Sequence, residues 1–343
     1  MKAAVWYGPG DLRIETLPEP SFTPDDMLVS VLACNICGSD LRTFVSGSRS
    51  IPPGTVLGHE FAGRVLQAPP GSGFVPGDLV TAAQDTPCGE CWYCTHGMEH
   101  VCENKLEFGK HFQGAFAERM VIPSLVLRKG WVRKVPGDLS LDAASLIEPL
   151  SSCVHAHNLV PTRPGDLVVI IGAGPIGCMH GQLAKHFGGR VVLTDLSATR
   201  LELARRFSFD AYVQAPHEDL AEVVRRLAPQ GADKVISANP SPAAILQGVD
   251  LVRKGGHVIA FGGLPVDNHS VAVDGNRVHY DEIHLVGSYA YSRDENDQAL
   301  DLIRQGVISA EQYITVRYPL EELAQAMETA RQASQLKVQI RFN

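Results

Sequence analysis

Residues 168–195 read VVIIGAGPIGCMHGQLAKHFGGRVVLTD, and this stretch decides the fold of the second half of the chain. An apolar run, Leu167 to Ile171, ends in a glycine-rich turn; a helix-like segment follows, and a second apolar run ends at Asp195. This order predicts a strand, a tight turn, a helix and a second strand. A bound pyrophosphate would rest on the free N–H groups at the N-terminus of such a helix, where the helix dipole favours an anion.

The turn has the spacing GxGxxG, and each glycine serves a different purpose. Gly172 permits the turn, Gly174 lets the backbone approach a pyrophosphate, and Gly177 lets the helix pack closely on the strand. Asp195 follows about 20 residues later, where a carboxylate can accept hydrogen bonds from a ribose diol and would repel a 2′-phosphate. These features favour NAD over NADP, and they favour dinucleotide binding over the alternative of a doubly wound fold that binds no nucleotide.

The composition narrows the possible partners. The length of 343 residues suggests two domains, and the formal net charge of −8 argues against nucleic acid and anionic membranes as partners. No apolar stretch approaches the ~18 residues of a membrane span, and the first residues, MKAAVWYGPGDLRIE, lack a signal-peptide core. We therefore expect a cytoplasmic protein whose partner is a small molecule.

Four of the eight cysteines lie within fifteen residues, with the spacing CxxCxxCx7C. These are Cys88, Cys91, Cys94 and Cys102. In a reducing compartment such a cluster indicates metal binding more than disulfides, and four thiolates can close a tetrahedral zinc site that has no open position. The alternative is an iron–sulfur cluster. Its bacterial pattern has three residues before a fourth cysteine that is followed by proline, and this chain has seven residues there and then Glu103.

Three short motifs elsewhere contain further residues of the types that commonly bind metals. Cys37 begins the sequence CGSD, His59 lies in GHE, and Glu148 lies in the apolar segment LIEPLS. Each has an ordinary alternative on its own, such as a buried thiol or a hydrogen-bonded imidazole. A carboxylate between apolar residues is costly to bury without a partner, however, and a metal ion would supply that partner. Together with the cysteine cluster and the dinucleotide turn, the motifs favour a second metal site.

The pattern of apolar residues changes near residue 156. Before it, short apolar runs broken by prolines predict a β-rich module. From residue 156 to residue 291, strand-like and helix-like segments alternate, which predicts a parallel sheet with helices on both faces. Residues 292–343 contain two helix-like segments and a closing strand, LKVQIRF, and we assign them to the first module.

These motifs together resemble the zinc-containing medium-chain dehydrogenases, most closely the polyol (sorbitol-type) dehydrogenases, over essentially the whole chain. The resemblance implies an α/β fold with two domains. A GroES-like, β-rich catalytic domain would comprise residues 1–155 and 292–343, and a Rossmann domain with a doubly wound parallel sheet would comprise residues 156–291. Relatives are commonly dimers or tetramers, so we expect a homodimer or homotetramer, with the apolar run Ile283 to Tyr291 as a candidate sheet edge for the contact.

The resemblance also implies roles for individual residues. Cys37, His59, Glu60 and Glu148 would hold a catalytic zinc, with Glu60 and Glu148 binding it directly or through water, and the cysteine cluster would hold a structural zinc. Ser39 is the candidate to take the proton of the alcohol and pass it to the nicotinamide ribose. The cofactor-binding set would be Gly172, Gly174, Pro175, Ile176, Gly177, Asp195, Arg200, Phe261, Gly262, Gly287, Ser288 and Tyr289.

The activity implied is the zinc-dependent reaction polyol + NAD⁺ = ketose + NADH + H⁺. The alternatives are an amino alcohol or a phosphorylated or otherwise charged sugar alcohol as substrate, and, from another class, a dinucleotide-binding protein without turnover. Two residues depart from the family pattern. Arg42 stands where a histidine usually ends a proton relay, and Ser288 stands where polyol dehydrogenases often have an arginine. Arg42 and Tyr289 are therefore candidate substrate residues, and Arg42 could bind an anionic group.

Overall fold

Strands predominate up to Lys134, whereas strands and helices alternate between Leu167 and Gly287. The computed structural model describes residues 1–342. Its strands are β1 (Lys2–Gly8), β2 (Asp11–Thr16), β3 (Met27–Asn35), β4 (Thr55–Val56), β5 (Glu60–Gln67), β6 (Leu79–Ala82), β7 (Asp85–Thr86), β8 (Leu106–Glu107), β9 (Arg119–Ile122), β10 (Val132–Lys134), β11 (Leu167–Ile171), β12 (Arg190–Asp195), β13 (Ala211–Gln214), β14 (Ala232–Ser237), β15 (Val252–Ala260), β16 (His284–Gly287), β17 (Ile314–Pro319) and β18 (Lys337–Arg341).

The α-helices of the described residues are shorter than a membrane span. They are α1 (Gly38–Ser46), α2 (Trp92–Thr95), α3 (Ser124–Arg128), α4 (Leu141–Ser145), α5 (Ile147–Leu159), α6 (Pro175–His186), α7 (Ala198–Ala204), α8 (Leu220–Leu227), α9 (Pro242–Leu251), α10 (Gly275–Tyr280), α11 (Arg293–Arg304) and α12 (Leu323–Arg331). Over residues 1–342, no helix has the length and the apolar character needed to cross a bilayer.

The chain divides into two units. The first comprises Met1–Ser151, Tyr291–Gly306 and Ala310–Asn343, and the second comprises Ser152–Ala290 and Val307–Ser309. The sequence predicts domain boundaries after residues 155 and 291. Helix α5 extends across the first of these points, so the backbone shows no break in secondary structure there.

The second unit is built on a six-stranded parallel sheet. Its strand order is β13-β12-β11-β14-β15-β16, which is 3-2-1-4-5-6 when the strands are counted within the unit. This is the order of a doubly wound, dinucleotide-binding sheet, and every residue of β11 is buried. The fold class predicted from the sequence is therefore confirmed for this unit.

The glycine-rich turn between β11 and α6 has the geometry that its spacing predicts. Gly172 has a φ of +119°, a conformation that residues with a Cβ rarely adopt. A Cβ added to Gly177 would lie 1.8 Å from the carbonyl oxygen of Gly172, whereas one added to Gly174 would meet no atom within 4 Å. The turn is therefore tight on the side of the strand and open at Gly174, as the approach of a pyrophosphate requires.

The first unit is β-rich. A seven-stranded sheet contains the path β10-β6-β5-β3-β18-β17, with β9 paired to β3, and a smaller sheet has the order β2-β1-β4. The apolar core includes Val29 of β3, Phe61 of β5 and Ile340 of β18. In this sheet β3 lies between β5 and β18, so residues at the two ends of the chain's numbering become neighbours.

Two buried basic side chains in the second unit lack charged partners in direct contact. The ammonium group of Lys234 donates to the carbonyl of Val160 and, at 2.8 Å, to Oγ1 of Thr162. His180 of α6 is completely buried, and neither ring nitrogen has a hydrogen-bond partner among residues 1–342. Burial, and then the nearby charge of Lys234, lower the pKa of His180 to about 3. The imidazole is therefore neutral in the fold.

This neutral imidazole predicts a loss of stability in acid. An unfolded chain protonates the histidine below pH 6.5, whereas the folded chain does not until about pH 3, so His180 opposes folding increasingly as the pH falls through that range. The penalty reaches about 1.4 kcal/mol for each pH unit below 6.5. We expect His180→Leu to show a smaller fall in thermal midpoint between pH 7.5 and pH 5.5 than the wild type.

The matched control is His186→Leu, which changes an exposed histidine of the same helix and should keep the wild-type dependence on pH. Parallel curves for His180→Leu and the wild type would contradict this account of His180.

Candidate zinc centres

The four clustered cysteines lie together in the first unit, with Cys94 in α2 and the other three on either side of it. The distances between sulfur atoms are 3.5 Å for Cys91–Cys94 and Cys88–Cys102, 3.8 Å for Cys91–Cys102 and 3.9 Å for Cys88–Cys94. Four sulfurs bound tetrahedrally to zinc at ~2.3 Å lie roughly 3.8 Å from one another. The geometry therefore fits a zinc ion held by four thiolates, with no position open to a substrate.

Backbone N–H groups stabilise the thiolates of this cluster. The N–H of Cys88 donates to Sγ of Cys102 at 3.2 Å, and the N–H of Cys91 donates to Sγ of Cys88 at 3.3 Å. Hydrogen bonds from the backbone, first from Cys94, also lower the pKa of Cys91 to about 6. Burial acts in the opposite direction and raises the pKa of Cys94 to about 12. Thiolates are the form of cysteine that binds metal, so the backbone hydrogen bonds favour the ligand state and burial opposes it.

Of the other four cysteines, all except Cys37 lie outside any cluster of metal-binding side chains in residues 1–342. Cys34, Cys153 and Cys178 are each completely buried, and burial raises the pKa of Cys34 and Cys178. Their burial is typical of structural thiols.

A second group of metal-binding side chains combines two of the short motifs. One ligand atom from each of Cys37, His59 and Glu60 lies within 4.8 Å of the others. Cys37 directly precedes α1, and His59 and Glu60 lie at the start of β5, where they are 3% and 1% exposed. A thiolate, an imidazole and a carboxylate form a donor set that suits zinc.

Asp40 orients this group, and the sequence analysis missed it. The N–H of Cys37 donates to Oδ2 of Asp40 at 3.0 Å, and the N–H of Gly58 donates to Oδ1 at 3.2 Å. The Nδ1 atom of His59 lies 3.6 Å from the same Oδ1. Burial alone would lower the pKa of His59, but the charge of Asp40 raises it well above its ordinary value. A carboxylate in this position fixes the ring of a metal-binding histidine.

Glu60 has a second partner at the far end of the chain. The Nζ atom of Lys337 lies 2.7 Å from Oε1 and 2.6 Å from Oε2 of Glu60, and both side chains are at least 95% buried. The lysine therefore competes with a metal for the same carboxylate. Whether Glu60 binds a metal directly or through water depends on this competition.

Glu148 lies in the first turn of α5 and is also buried. Its Oε1 accepts a hydrogen bond from the hydroxyl of Tyr291 at 3.0 Å. Burial raises the pKa of Glu148 to about 7, against an opposing effect of His59. Glu148 is not among the three residues whose ligand atoms lie within 4.8 Å of one another, so its assignment as a zinc ligand stays a prediction. Tyr291, like Asp40, was missed by the sequence analysis.

Ser39 and Arg42 lie one helical turn apart on α1, and residues at this spacing share a face of the helix. The hydroxyl oxygen of Ser39 is buried and has no hydrogen-bond partner among the described residues. Arg42 is exposed, and within residues 1–342 it forms no ion pair. The roles of Ser39 in a proton relay and of Arg42 in binding a substrate stay predictions.

The predicted cofactor residues lie at the ends of the parallel strands. Asp195, the last residue of β12, accepts hydrogen bonds from the N–H groups of Ala173 and Ser197, each at 2.8 Å. Nη1 of Arg200 lies 3.9 Å from Oδ2 of the same carboxylate. A Cβ added to Gly262 would lie 2.2 Å from the carbonyl oxygen of Asn239, so only glycine fits there.

The remaining predicted residues of this set follow β15 and β16. The ring of Phe261 packs edge-on against His180, with centroids 4.5 Å apart. Gly287 is the last residue of β16, Ser288 is buried with an unpartnered hydroxyl oxygen in the described structure, and Tyr289 is 57% exposed. These positions agree with a binding edge at the carboxyl ends of the strands, and the roles of the individual residues stay predictions.

The fold and these centres define a class of protein. A doubly wound sheet with a glycine-rich turn binds a nucleotide cofactor, and a β-rich unit with a cysteine-containing donor set binds zinc, so the combination is that of a zinc-dependent oxidoreductase. Family models agree: the alcohol dehydrogenase GroES-like domain matches residues 23–136, and the zinc-binding dehydrogenase model matches residues 175–305.

Three curated relatives cover nearly the whole chain. Sorbitol dehydrogenase of Bacillus subtilis is 32% identical over 97% of this chain and 94% of its own length. D-arabitol-phosphate dehydrogenase of Enterococcus avium is 32% identical over 100% and 98%, and L-threonine 3-dehydrogenase of Saccharopolyspora erythraea is 33% identical over 96% and 96%. The chain therefore belongs to the zinc-containing medium-chain dehydrogenase/reductase family, close to the polyol dehydrogenases.

A solved structure of the same fold holds a different cofactor from the one predicted here. The zinc-binding dehydrogenase from Sinorhizobium meliloti 1021 bound to NADP has a TM-score of 0.91 and 29% identity, and it covers 99% of both chains. The fold thus accommodates either dinucleotide, and the relatives act on different alcohols. Membership of the family establishes an oxidoreductase and leaves its alcohol and its dinucleotide to be proposed.

The cysteine cluster generates a test of zinc content. Loss of one of four ligands should release the structural zinc, so we expect Cys94→Ser to lower zinc from about two to about one per chain and to lower the thermal midpoint. Elemental analysis of the purified protein, together with a thermal melt, measures both effects. The control is Cys153→Ser, which removes a buried thiol of the second unit and should keep both ions. A Cys94→Ser variant that retains two zinc ions per chain would show that this cluster is not a zinc site.

Proposed function

We propose that this chain oxidises a secondary alcohol group of a polyol or sugar derivative with NAD, in the reaction polyol + NAD⁺ = ketose + NADH + H⁺. The observation that carries the proposal is the convergence of the Cys37, His59 and Glu60 donors within 4.8 Å. A chain that only bound a dinucleotide would have no use for these donors. The similarity to a sorbitol dehydrogenase supports a polyol as the alcohol.

The residues of the first unit fit a catalytic zinc, which would be held by Cys37, His59 and a carboxylate of Glu60 or Glu148. When bound, a zinc ion with an open position lowers the pKa of a coordinated hydroxyl group towards neutrality. Asp40 keeps the imidazole of His59 oriented by facing its Nδ1 atom. Ser39 would relay the hydroxyl proton of the alcohol by accepting it while donating its own proton to the nicotinamide ribose; its buried oxygen has no other partner in the described structure and so is available for this hydrogen bond.

The second unit provides the hydride acceptor. The N–H groups of the turn from Gly172 to Gly177 would hold the pyrophosphate of the dinucleotide. When bound, the nicotinamide would supply the acceptor for the hydride that the alcohol carbon gives up. Ser39 would take the hydroxyl proton while passing its own towards the nicotinamide ribose, so that the whole reaction yields a ketone, NADH and one proton. The protein contributes placement and the removal of the proton.

Asp195 supports NAD as the cofactor. Its carboxylate ends β12, next to the glycine-rich turn, and it would accept hydrogen bonds from a ribose diol. A 2′-phosphate at this position would meet a negative charge. Arg200, at 3.9 Å from Asp195, is partly neutralised by that carboxylate and so offers a phosphate less attraction than a free arginine would.

The exposed edge of the parallel sheet supports a homo-oligomer. Among residues 1–342, β16 pairs with a strand on one side only; Leu285 within it and Tyr289 just after it are 46% and 57% exposed. An unpaired edge with apolar side chains favours pairing with another chain. Pairing of β16 with its symmetry mate would give the predicted homodimer, and a homotetramer would need a second contact. The cytoplasmic location expected from the sequence also stays a proposal.

A substrate panel tests the proposed reaction. We expect NADH formation, followed at 340 nm, with sugar alcohols in the presence of the zinc-loaded protein. Removal of zinc with a chelator should abolish the activity, and added zinc should restore it. With NADP in place of NAD, kcat/KM should fall at least about tenfold, the equivalent of one lost hydrogen bond to a charged group. Binding of NAD without turnover of any alcohol in the panel would favour the non-catalytic alternative instead.

A second candidate function is the oxidation of a phosphorylated sugar alcohol. The observation that favours it is Arg42, an exposed guanidinium without an ion pair in residues 1–342, on the same face of α1 as Ser39. Guanidinium groups bind phosphate through paired hydrogen bonds. The relative that is a D-arabitol-phosphate dehydrogenase supports the same class of substrate.

The variant Arg42→Ala separates the two candidates. If Arg42 binds a phosphate, its removal should raise KM for a sugar-alcohol phosphate about tenfold or more and leave KM for the unphosphorylated alcohol unchanged, because a hydrogen-bonded charge contributes about 1.5–3 kcal/mol. Arg49→Ala, which removes another exposed arginine of the following loop, is the control. Equal KM values for the phosphorylated substrate in Arg42→Ala and the wild type would leave the neutral polyol as the substrate.

A further inference from the structure

The two faces of strand β18 differ in a way that the proposed reaction does not explain. Val338 and Ile340 belong to the apolar core, whereas the alternate residues Lys337, Gln339 and Arg341 share the other face. Gln339 is completely buried, and Lys337 is 5% exposed. β18 lies inside the sheet, between β3 and β17, and residues on both of its faces are buried. The polar residues of this face therefore need partners.

Gln339 joins a strand to a helix. Its Nε2 atom donates to Oδ1 of Asn35, the last residue of β3, at 3.0 Å and to Oγ of Ser145, the last residue of α4, at 3.1 Å. Nδ2 of Asn35 in turn donates to the carbonyl oxygen of Ser145 at 2.9 Å. All three side chains are completely buried. The amide of Gln339 thus holds the end of α4 against the end of β3.

Arg341 strengthens the same attachment one step along the strand. Its guanidinium and that of Arg317 on β17 both bind the carboxylate of Asp142, which lies in α4. Helix α4 is therefore fixed to β18 at two positions, Asp142 and Ser145. The helix cannot rotate or slide over the sheet without breaking these contacts, and the hydrogen bonds of Gln339 are fully buried, where they are hardest to replace.

The segments that Gln339 joins lead directly to the proposed zinc ligands. Asn35 precedes Cys37 by two residues, and Ser145 precedes Glu148 by three. Asn35 is also the register partner of Glu60 on one side and of Gln339 on the other. Glu60, Asn35 and Gln339 consequently form one row across three strands, with α4 attached to it.

Stability alone does not account for a glutamine at this position. The Oε1 atom of Gln339 is buried and has no partner within residues 1–342, and an unpaired buried carbonyl opposes folding. Methionine has a similar length and no such penalty. Buried polar groups that an apolar residue could replace without loss of stability can instead serve to select one arrangement.

We propose that Gln339 is a positioning residue for the zinc site: its amide fixes the segment that carries Glu148 relative to the segment that carries Cys37. The inference rests on the proposed function, because it takes Cys37 and Glu148 as ligands of the same ion. Gln339, which lies near the C-terminus and outside the predicted motifs, would thus help to set the geometry of the metal centre.

The test is the variant Gln339→Met, with metal binding as the measured quantity. Residues that orient metal ligands change metal affinity by about 10- to 100-fold when they are replaced. We expect zinc affinity, measured by competition with a chromophoric chelator, to weaken by about that factor at the weaker-binding of the two sites. The visible spectrum of the cobalt-loaded protein should also change, while the thermal midpoint of the metal-free protein stays equal to the wild type or rises.

Two further variants keep the test decisive. Ser145→Ala removes the hydroxyl that Gln339 contacts and should weaken zinc to a similar extent, and the double variant should be no weaker than either single one. The control is Tyr318→Phe, which removes a hydrogen bond of 2.9 Å to Thr329 in the same unit and should leave zinc affinity unchanged. If Gln339→Met does not fold, Ser145→Ala decides the question.

If Gln339→Met binds zinc as tightly as the wild type and gives the same cobalt spectrum, the inference is overturned and the proposed function is left intact. The same result in Ser145→Ala overturns the inference if Gln339→Met does not fold. A loss of affinity in Tyr318→Phe as large as that in Gln339→Met would likewise show a general structural effect. A wild-type chain that binds only one zinc ion would overturn the proposed function together with the inference.

Discussion

The active region of the first unit depends on one electrostatic constraint: it buries three carboxylates and a thiol beside one lysine and one histidine. Asp40, Glu60 and Glu148 are each at least 90% buried around Cys37 and His59, and Lys337 is the one lysine that contacts any of these carboxylates among the described residues. Buried charges without compensation are strongly unfavourable, and in this chain burial raises the pKa of Glu148 to about 7. A divalent cation between the thiol, the imidazole and a carboxylate offsets this cost, and this requirement links the fold to zinc-dependent chemistry.

The fold assembles this region from segments far apart in the sequence. β5 brings His59 and Glu60, the turn after β3 brings Cys37, and α5 brings Glu148, while β18 supplies Lys337. Because β3 lies between β5 and β18, the strand register sets the position of the lysine opposite the glutamate. The second unit needs less from distant residues, since its nucleotide turn is built from one continuous strand–turn–helix segment.

That difference explains how much the sequence could predict. The dinucleotide turn, the cysteine cluster and the CGSD and GHE motifs are local patterns, in which spacing alone constrains geometry, and the structure brings together the cysteines and the Cys37, His59 and Glu60 donors as predicted. The contact of Asp40 could have been predicted, because an acid three residues after Cys37 is a familiar helix-capping position. The contacts of Lys337, Tyr291 and Gln339 could not be predicted, because they depend on strand register and helix packing, which no local sequence pattern specifies. For the same reason the sequence could not decide between Glu60 and Glu148 as the third ligand.

The most direct test of the central claim is a crystal structure of the zinc-loaded protein with an anomalous difference map recorded at the zinc absorption edge. The account predicts two peaks per chain. One should lie among the sulfurs of the cysteine cluster, and the other should lie within bonding distance of Sγ of Cys37, a ring nitrogen of His59 and a carboxylate oxygen of Glu60 or Glu148, at about 2.0–2.3 Å. A map with no peak between Cys37 and His59 would contradict it.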